Sequence, residues 1–123
     1  MAETGAIIVL DVGKTLSKLS LWSADAVLLD KVTRPNRRCK VDGVAVLEAV
    51  GIDAWVKEVL RGFAAKASVA AIIPVAHGAG VAAIRDGELA FAPLDYEQAI
   101  PEAVIAEYRE GRDIFTETGS PAL

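Results

Sequence analysis

The sequence has one cysteine, Cys39, and one histidine, His77, among 123 residues. A single thiol excludes an internal disulfide and any zinc site built from several cysteines, and it suits a reducing compartment. No run approaches the roughly 20 apolar residues that span a bilayer. The first residues do not read as a secretory leader, since Glu3 stands where positive charge belongs and the apolar run from Ala6 stops at Asp11. Neither sign of charge dominates. Thirteen Lys and Arg stand against 17 Asp and Glu, a net charge of −4, so nothing draws the chain to nucleic acid or to an anionic membrane. The expectation is a cytoplasmic protein with neither as a partner. What the chain does have is apolar material, 53% of residues against 24% charged, enough for the core of one domain at most.

Ala6 to Leu10 is short, apolar and rich in β-branched residues, and predicts a strand buried on both faces. From Ser17 the pattern alternates, with Leu19 and Leu21 set between Lys18, Ser20 and Trp22, as in a half-buried strand. A third strand follows over Val27 to Thr33, so the three predict an antiparallel meander. The basic stretch Arg34 to Lys40 breaks the pattern at Pro35; with no aromatics interleaved, it reads as a solvated connection rather than an anion-binding patch. Ile52, Trp55, Val56, Val59, Leu60 and Phe63 form one helical stripe, with Trp55 as its anchor. A buried strand over Val69 to Ala76 comes next, parallel to the first because a crossover helix feeds it. Asp86-Gly87 signals a hairpin, Pro101 opens a last helix carrying Val104, Ile105 and Tyr108, and Thr116 to Leu123 reads as unstructured.

Gly13-Lys14-Thr15 is not a nucleotide-binding P-loop. That motif needs a glycine where Ile8 stands, and a helix where Ser17 to Trp22 alternates like a strand. A strand ending in Asp11, a tight turn and a second strand make a different phosphate-binding device. Consecutive N–H groups in such a turn cradle an anion, and Gly13 keeps a Cβ out of the way. Thr15 adds a hydroxyl, Lys18 a point charge, and Asp11 a hard oxygen ligand for Mg²⁺; the bland alternative is a plain hairpin turn. His77-Gly78-Ala79-Gly80 follows the second parallel strand, at the end where open α/β sheets bind ligands, which places it beside the Asp11 turn. Asp95-Tyr96-Glu97 is either a helix start or a site for sugar hydroxyls. Cys39 has no catalytic partner nearby and reads as inert.

These residues carry a likeness. Ile8 to Thr15, with Lys18 seven positions after Asp11, resembles the first phosphate motif of the FGGY carbohydrate kinases, within the sugar kinase, Hsp70 and actin superfamily. Pro74 to Ala79 is similar to that family's sugar-contacting strand end. Leu94-Asp95-Tyr96-Glu97 and Thr118-Gly119-Ser120-Pro121 are similar to later signposts of its fuculokinase-like and rhamnulokinase-like branch. The resemblance implies an α/β fold of ribonuclease-H-like, actin-like ATPase type, and ATP-dependent phosphorylation of a ketose or polyol hydroxyl. In it Asp11 matches the Mg²⁺-associated aspartate. Gly13, Lys14, Thr15 and Lys18 match phosphate-binding positions, while His77, Gly78 and Glu97 match sugar contacts. The family's catalytic-base aspartate falls beyond the equivalent of Leu123, and an adenosine-binding domain follows it. Residues 1–123 therefore read as a partial N-terminal domain, inactive alone. The rival expectation is a stand-alone, non-catalytic binding module whose uncovered sheet edge takes another copy of itself.

Overall fold

In the computed structural model, which describes residues 5–120, the alternating segments near the start of the chain pair into a meander. β1 (Ala6–Val12), β2 (Leu16–Trp22) and β3 (Leu28–Pro35) run antiparallel in turn, with Leu19 between Leu10 and Val32. Their two-residue period sends Ile8, Leu19 and Leu21 to one face, where all three are fully buried. Asp11 and Lys18 are paired across the strands and point to the other face. β1 is fully buried only at Ala6 and Ile8, so it is not enclosed on both faces as its apolar run suggested.

Two short hairpins follow the same rule of turn chemistry. β4 (Cys39–Val41) and β5 (Val44–Val46) flank Asp42-Gly43, with φ of 50° and 82°. An Asp-Gly pair at positive φ makes the turn whose twist matches antiparallel strands. This corrects the expectation that the basic stretch is only a solvated connection: Cys39 and Lys40 lie in a strand, and Arg34 is ion-paired to Glu48.

α1 (Ala49–Ala64) lays its apolar stripe over the buried face of the meander, and Phe63 is its one fully enclosed residue. Trp55, expected to be the anchor, is partly buried and borders an open notch with Asp30 and Val32 of the edge strand. β6 (Val69–Ala76) then returns parallel to β1, giving the order β3-β2-β1-β6. The expectation that this strand is buried does not hold. Ile72, Ile73 and Val75 are 48–49% exposed. α1 packs on the meander and reaches β6 only at Val69; among the described residues no element covers Ala70 to Ala76 or pairs with the strand's free edge.

β7 (Ile84–Arg85) and β8 (Glu88–Leu89) form the expected hairpin around Asp86-Gly87. A bridge from Val46 to Leu94 then brings the following segment back beside β5. α2 (Glu102–Gly111) starts behind Pro101 with Val104 and Tyr108 exposed. The tail holds one helical turn, α3 (Phe115–Thr118), where none was expected, and the left-handed Gly119 closes it by donating to the Phe115 carbonyl. Pro121, part of the last signpost, lies outside the described residues.

Candidate functional site

The turn between β1 and β2 is held by its own backbone and by a residue from β3's end. The Gly13 N–H donates to the Leu16 carbonyl at 2.9 Å. A Cβ on Gly13 would lie 2.9 Å from that same carbonyl oxygen, so the position excludes every side chain. The reason is a close backbone approach, since Gly13 does not adopt positive φ. Asn36 follows directly on the Leu16–Pro35 pairing and clasps the turn three ways. Its N–H donates to the Thr15 carbonyl, its side-chain amide donates to the Gly13 carbonyl at 2.7 Å, and its amide oxygen accepts the hydroxyl of the fully buried Ser17 at 2.9 Å.

Behind Asn36, Glu48 organises the basic stretch. Its carboxylate takes both terminal nitrogens of Arg34, at 2.5 and 3.2 Å, and the Arg37 N–H at 2.6 Å. The Arg34 guanidinium and the Arg37 N–H hold that carboxyl below its usual range against the opposing effect of burial. Glu48 therefore leaves the first N–H groups of α1 without a side-chain cap.

A cleft of about 400 Å³ opens beside the turn. Gly13, Lys14 and Thr15 form one wall, the start of α1 with Arg37 and Arg38 another, and His77, Gly80 and Asp95 a third. His77 stands at the end of β6 because its N–H extends the parallel ladder to the Val12 carbonyl. Its Nδ1 is buried, with no hydrogen-bond partner among the described residues, and its ring lies 5.4 Å from that of Tyr96. Gly80 keeps room for that ring, since a Cβ there would come within 3.0 Å of Nδ1. Gly78 is open on all sides and does not line the cleft.

Asp95-Tyr96-Glu97 is not a helix start. The Asp95 carboxylate accepts the Glu97 N–H at 2.8 Å, and the Asp95 carbonyl accepts the Gln98 N–H, which makes a tight turn. Lys14 reaches into it, 2.8 Å from Asp95, 2.5 Å from Glu97 and 4.6 Å above the Tyr96 ring. Burial disfavours the Lys14 charge, yet the two carboxylates outweigh it and raise the ammonium's pKa. The same bond, with the Glu97 N–H, lowers that of Asp95. Glu97 thus holds Lys14, whereas Asp11 and Lys18 pair with each other at 2.9 Å outside the cleft.

No protein-family model and no curated protein matches the chain. Solved structures do. A carbohydrate kinase from Novosphingobium aromaticivorans is 55% identical, with a TM-score of 0.90, over 98% of this chain and 26% of its own length. The structural neighbours are carbohydrate kinases. A xylulose kinase from Rhodospirillum rubrum is 18% identical at a TM-score of 0.71, covering 88% of this chain and 24% of that one. A gluconate kinase from Lactobacillus acidophilus is 19% identical at 0.68, covering 85% and 22%. These last two show a shared fold alone. The chain spans about a quarter of the length of the carbohydrate kinases it matches.

Asn36 and Glu48 are the residues of this site that sequence reasoning did not single out for it. Asn36 acts on groups 19 and 23 positions away, and only the strand register brings them together. Gly80 and Asp95 lie in the same motifs as His77 and Glu97, three and two places away.

Proposed function

We propose that the chain is the first part of an FGGY-type carbohydrate kinase, and that the full-length protein phosphorylates a sugar hydroxyl with ATP. One observation carries the reading. The turn at the end of β1 and His77 at the end of the parallel β6 border one cleft, at the carboxyl ends of the parallel strands where α/β folds place ligands. In this reading the sugar enters the cleft, where the unpartnered His77 Nδ1 and the Asp95 rim orient its hydroxyls. The turn's own hydrogen bonds consume the Gly13 N–H and the Gly13 and Thr15 carbonyls, so an incoming phosphate meets the N–H groups of Lys14 and Thr15 and the Thr15 hydroxyl. Lys18 adds positive charge on the far side of the turn.

Among the described residues no three metal-ligating side chains cluster. Asp11, a half-buried carboxylate paired with Lys18, would suit Mg²⁺, which takes one or two protein oxygens and fills its octahedron with phosphate and water. When bound, Mg²⁺ would shield the charge on the transferred phosphoryl group. The base that takes the sugar proton would lie beyond Leu123, so residues 1–123 alone would bind weakly and turn nothing over.

Sugar-dependent ATP consumption tests this directly. The full-length protein, offered ketoses, polyols and aldonates with Mg-ATP, is expected to turn over at least one, and the 123-residue chain none. A full-length protein neither active on nor thermally stabilised by any of them would end the reading.

A further inference from the structure

Lys14 occupies the phosphate turn, yet its charge faces elsewhere. Its side chain is 17% exposed, and its ammonium sits between Asp95 and Glu97 over the Tyr96 ring. Those two carboxylates take up its charge, so the ammonium is not presented to an anion in the turn. To meet an anion, Lys14 would have to break two short ion pairs. Lys18, 45% exposed with Asp11 as its sole ion-pair partner among the described residues, is the freer cation.

What Lys14 does hold is the rim of the cleft. The Asp95 N–H is tied to the Ala45 carbonyl, the Asp95 carboxylate closes the turn over Glu97, and Tyr96 leans on His77. The Lys14 side chain joins this turn to the β1–β2 turn. We infer that Lys14 is a positioning residue, which pins the Asp95–Tyr96–Glu97 turn against His77 and so shapes the sugar end of the cleft without touching the transferred phosphate. The inference rests on the kinase reading above.

The test uses the full-length protein and whichever ketose, polyol or aldonate it turns over fastest. Lys14→Met is expected to raise KM for the sugar about tenfold while leaving KM for ATP and kcat within about twofold, the signature of lost ground-state binding on one side only. Lys14→Arg should restore most of the loss, because its guanidinium can still reach both carboxylates. Asp95→Asn should copy Lys14→Met, and the double variant should be no worse than the weaker single, as expected for one shared contact. A raised KM for ATP, a fall in kcat with unchanged sugar KM, or additive losses in the double variant would each overturn the inference and return Lys14 to the phosphate.

Absence of any sugar-dependent turnover in the parent protein would instead defeat the kinase reading. Amide hydrogen exchange at Glu97 and Gln98 then decides the matter separately. Faster exchange in Lys14→Met, reversed in Lys14→Arg, supports the pin, and unchanged exchange refutes it.

Discussion

The two halves of the sheet are built from similar residues and end in opposite states. Ile8, Leu19 and Leu21 on the β1–β2 side are at most 1% exposed, while Ile72, Ile73 and Val75 on β6 are about half exposed. Hydrophobicity does not separate them, since β6 is the more continuous apolar run. The difference is cover. α1 crosses the meander face and seals it with Phe63, whereas among the described residues nothing covers β6 beyond Val69. A strand's apolar residues thus specify that it needs a partner, and the position of that partner decides which strand becomes core. The same contrast divides the site: the β1–β2 turn is clasped by Asn36, and the Asp95 turn beside His77 is tied to β5 by backbone bonds and to the β1–β2 turn by Lys14.

The largest expected effect comes from opening the sealed half. Phe63→Ala should cost about 3–5 kcal/mol in a urea titration, and Ile73→Ala on β6 only about 1 kcal/mol. Equal losses would show that β6 is covered in solution and erase the contrast. Next comes Gly13→Ala, whose Cβ must displace the Leu16 carbonyl; about 1–3 kcal/mol is expected, together with loss of Mg-ATP binding by calorimetry in the full-length protein. Asn36→Ala should cost about 1–3 kcal/mol, because it strands the buried Ser17 hydroxyl; Asn36→Asp, which keeps the acceptor for Ser17, should recover part of that midpoint shift.

Acid should act on both sides of the site at once. Glu48 and Asp95 have folded-state values below their ordinary 4.5 and 3.8. A carboxyl depressed in the folded state contributes its stability in full above the ordinary value and loses it as pH falls through the folded one. Thermal melts should therefore drop below about pH 4.5, and Glu48→Gln should flatten that drop while lowering the neutral-pH Tm. Lys14 carries the opposite sign: its stabilisation holds below 10.5 and fades as pH rises through its raised folded value. The smallest effect belongs to Lys57→Ala, which removes an exposed pair with Asp53 one helical turn away and should cost about 0.3–0.5 kcal/mol, less still in salt.

Much of this fold was legible before any coordinates. The alternation of β2, the helical stripe of α1 and the Asp86-Gly87 hairpin are local patterns, and each appears where its periodicity or turn chemistry put it. Asp42-Gly43 carried the same hairpin signal and was hidden by the positive charges around it. Trp55 was read as the anchor of the helical stripe, yet Phe63 is the member that is fully enclosed while Trp55 is partly buried.

By itself, the sequence determined the elements and the chemistry available at their ends: a strand closing on Asp11, a turn that tolerates no side chain at Gly13, and a histidine after a second apolar strand. Periodicity, turn residues and short-range sterics act over a few positions, so they can be read along the chain. Tertiary structure alone decided that Asn36 clasps the turn, that Lys14 faces Asp95 and Glu97, and that β6 stays bare. Each of those depends on groups many residues apart that strand register and helix placement bring within bonding distance, or fail to bring.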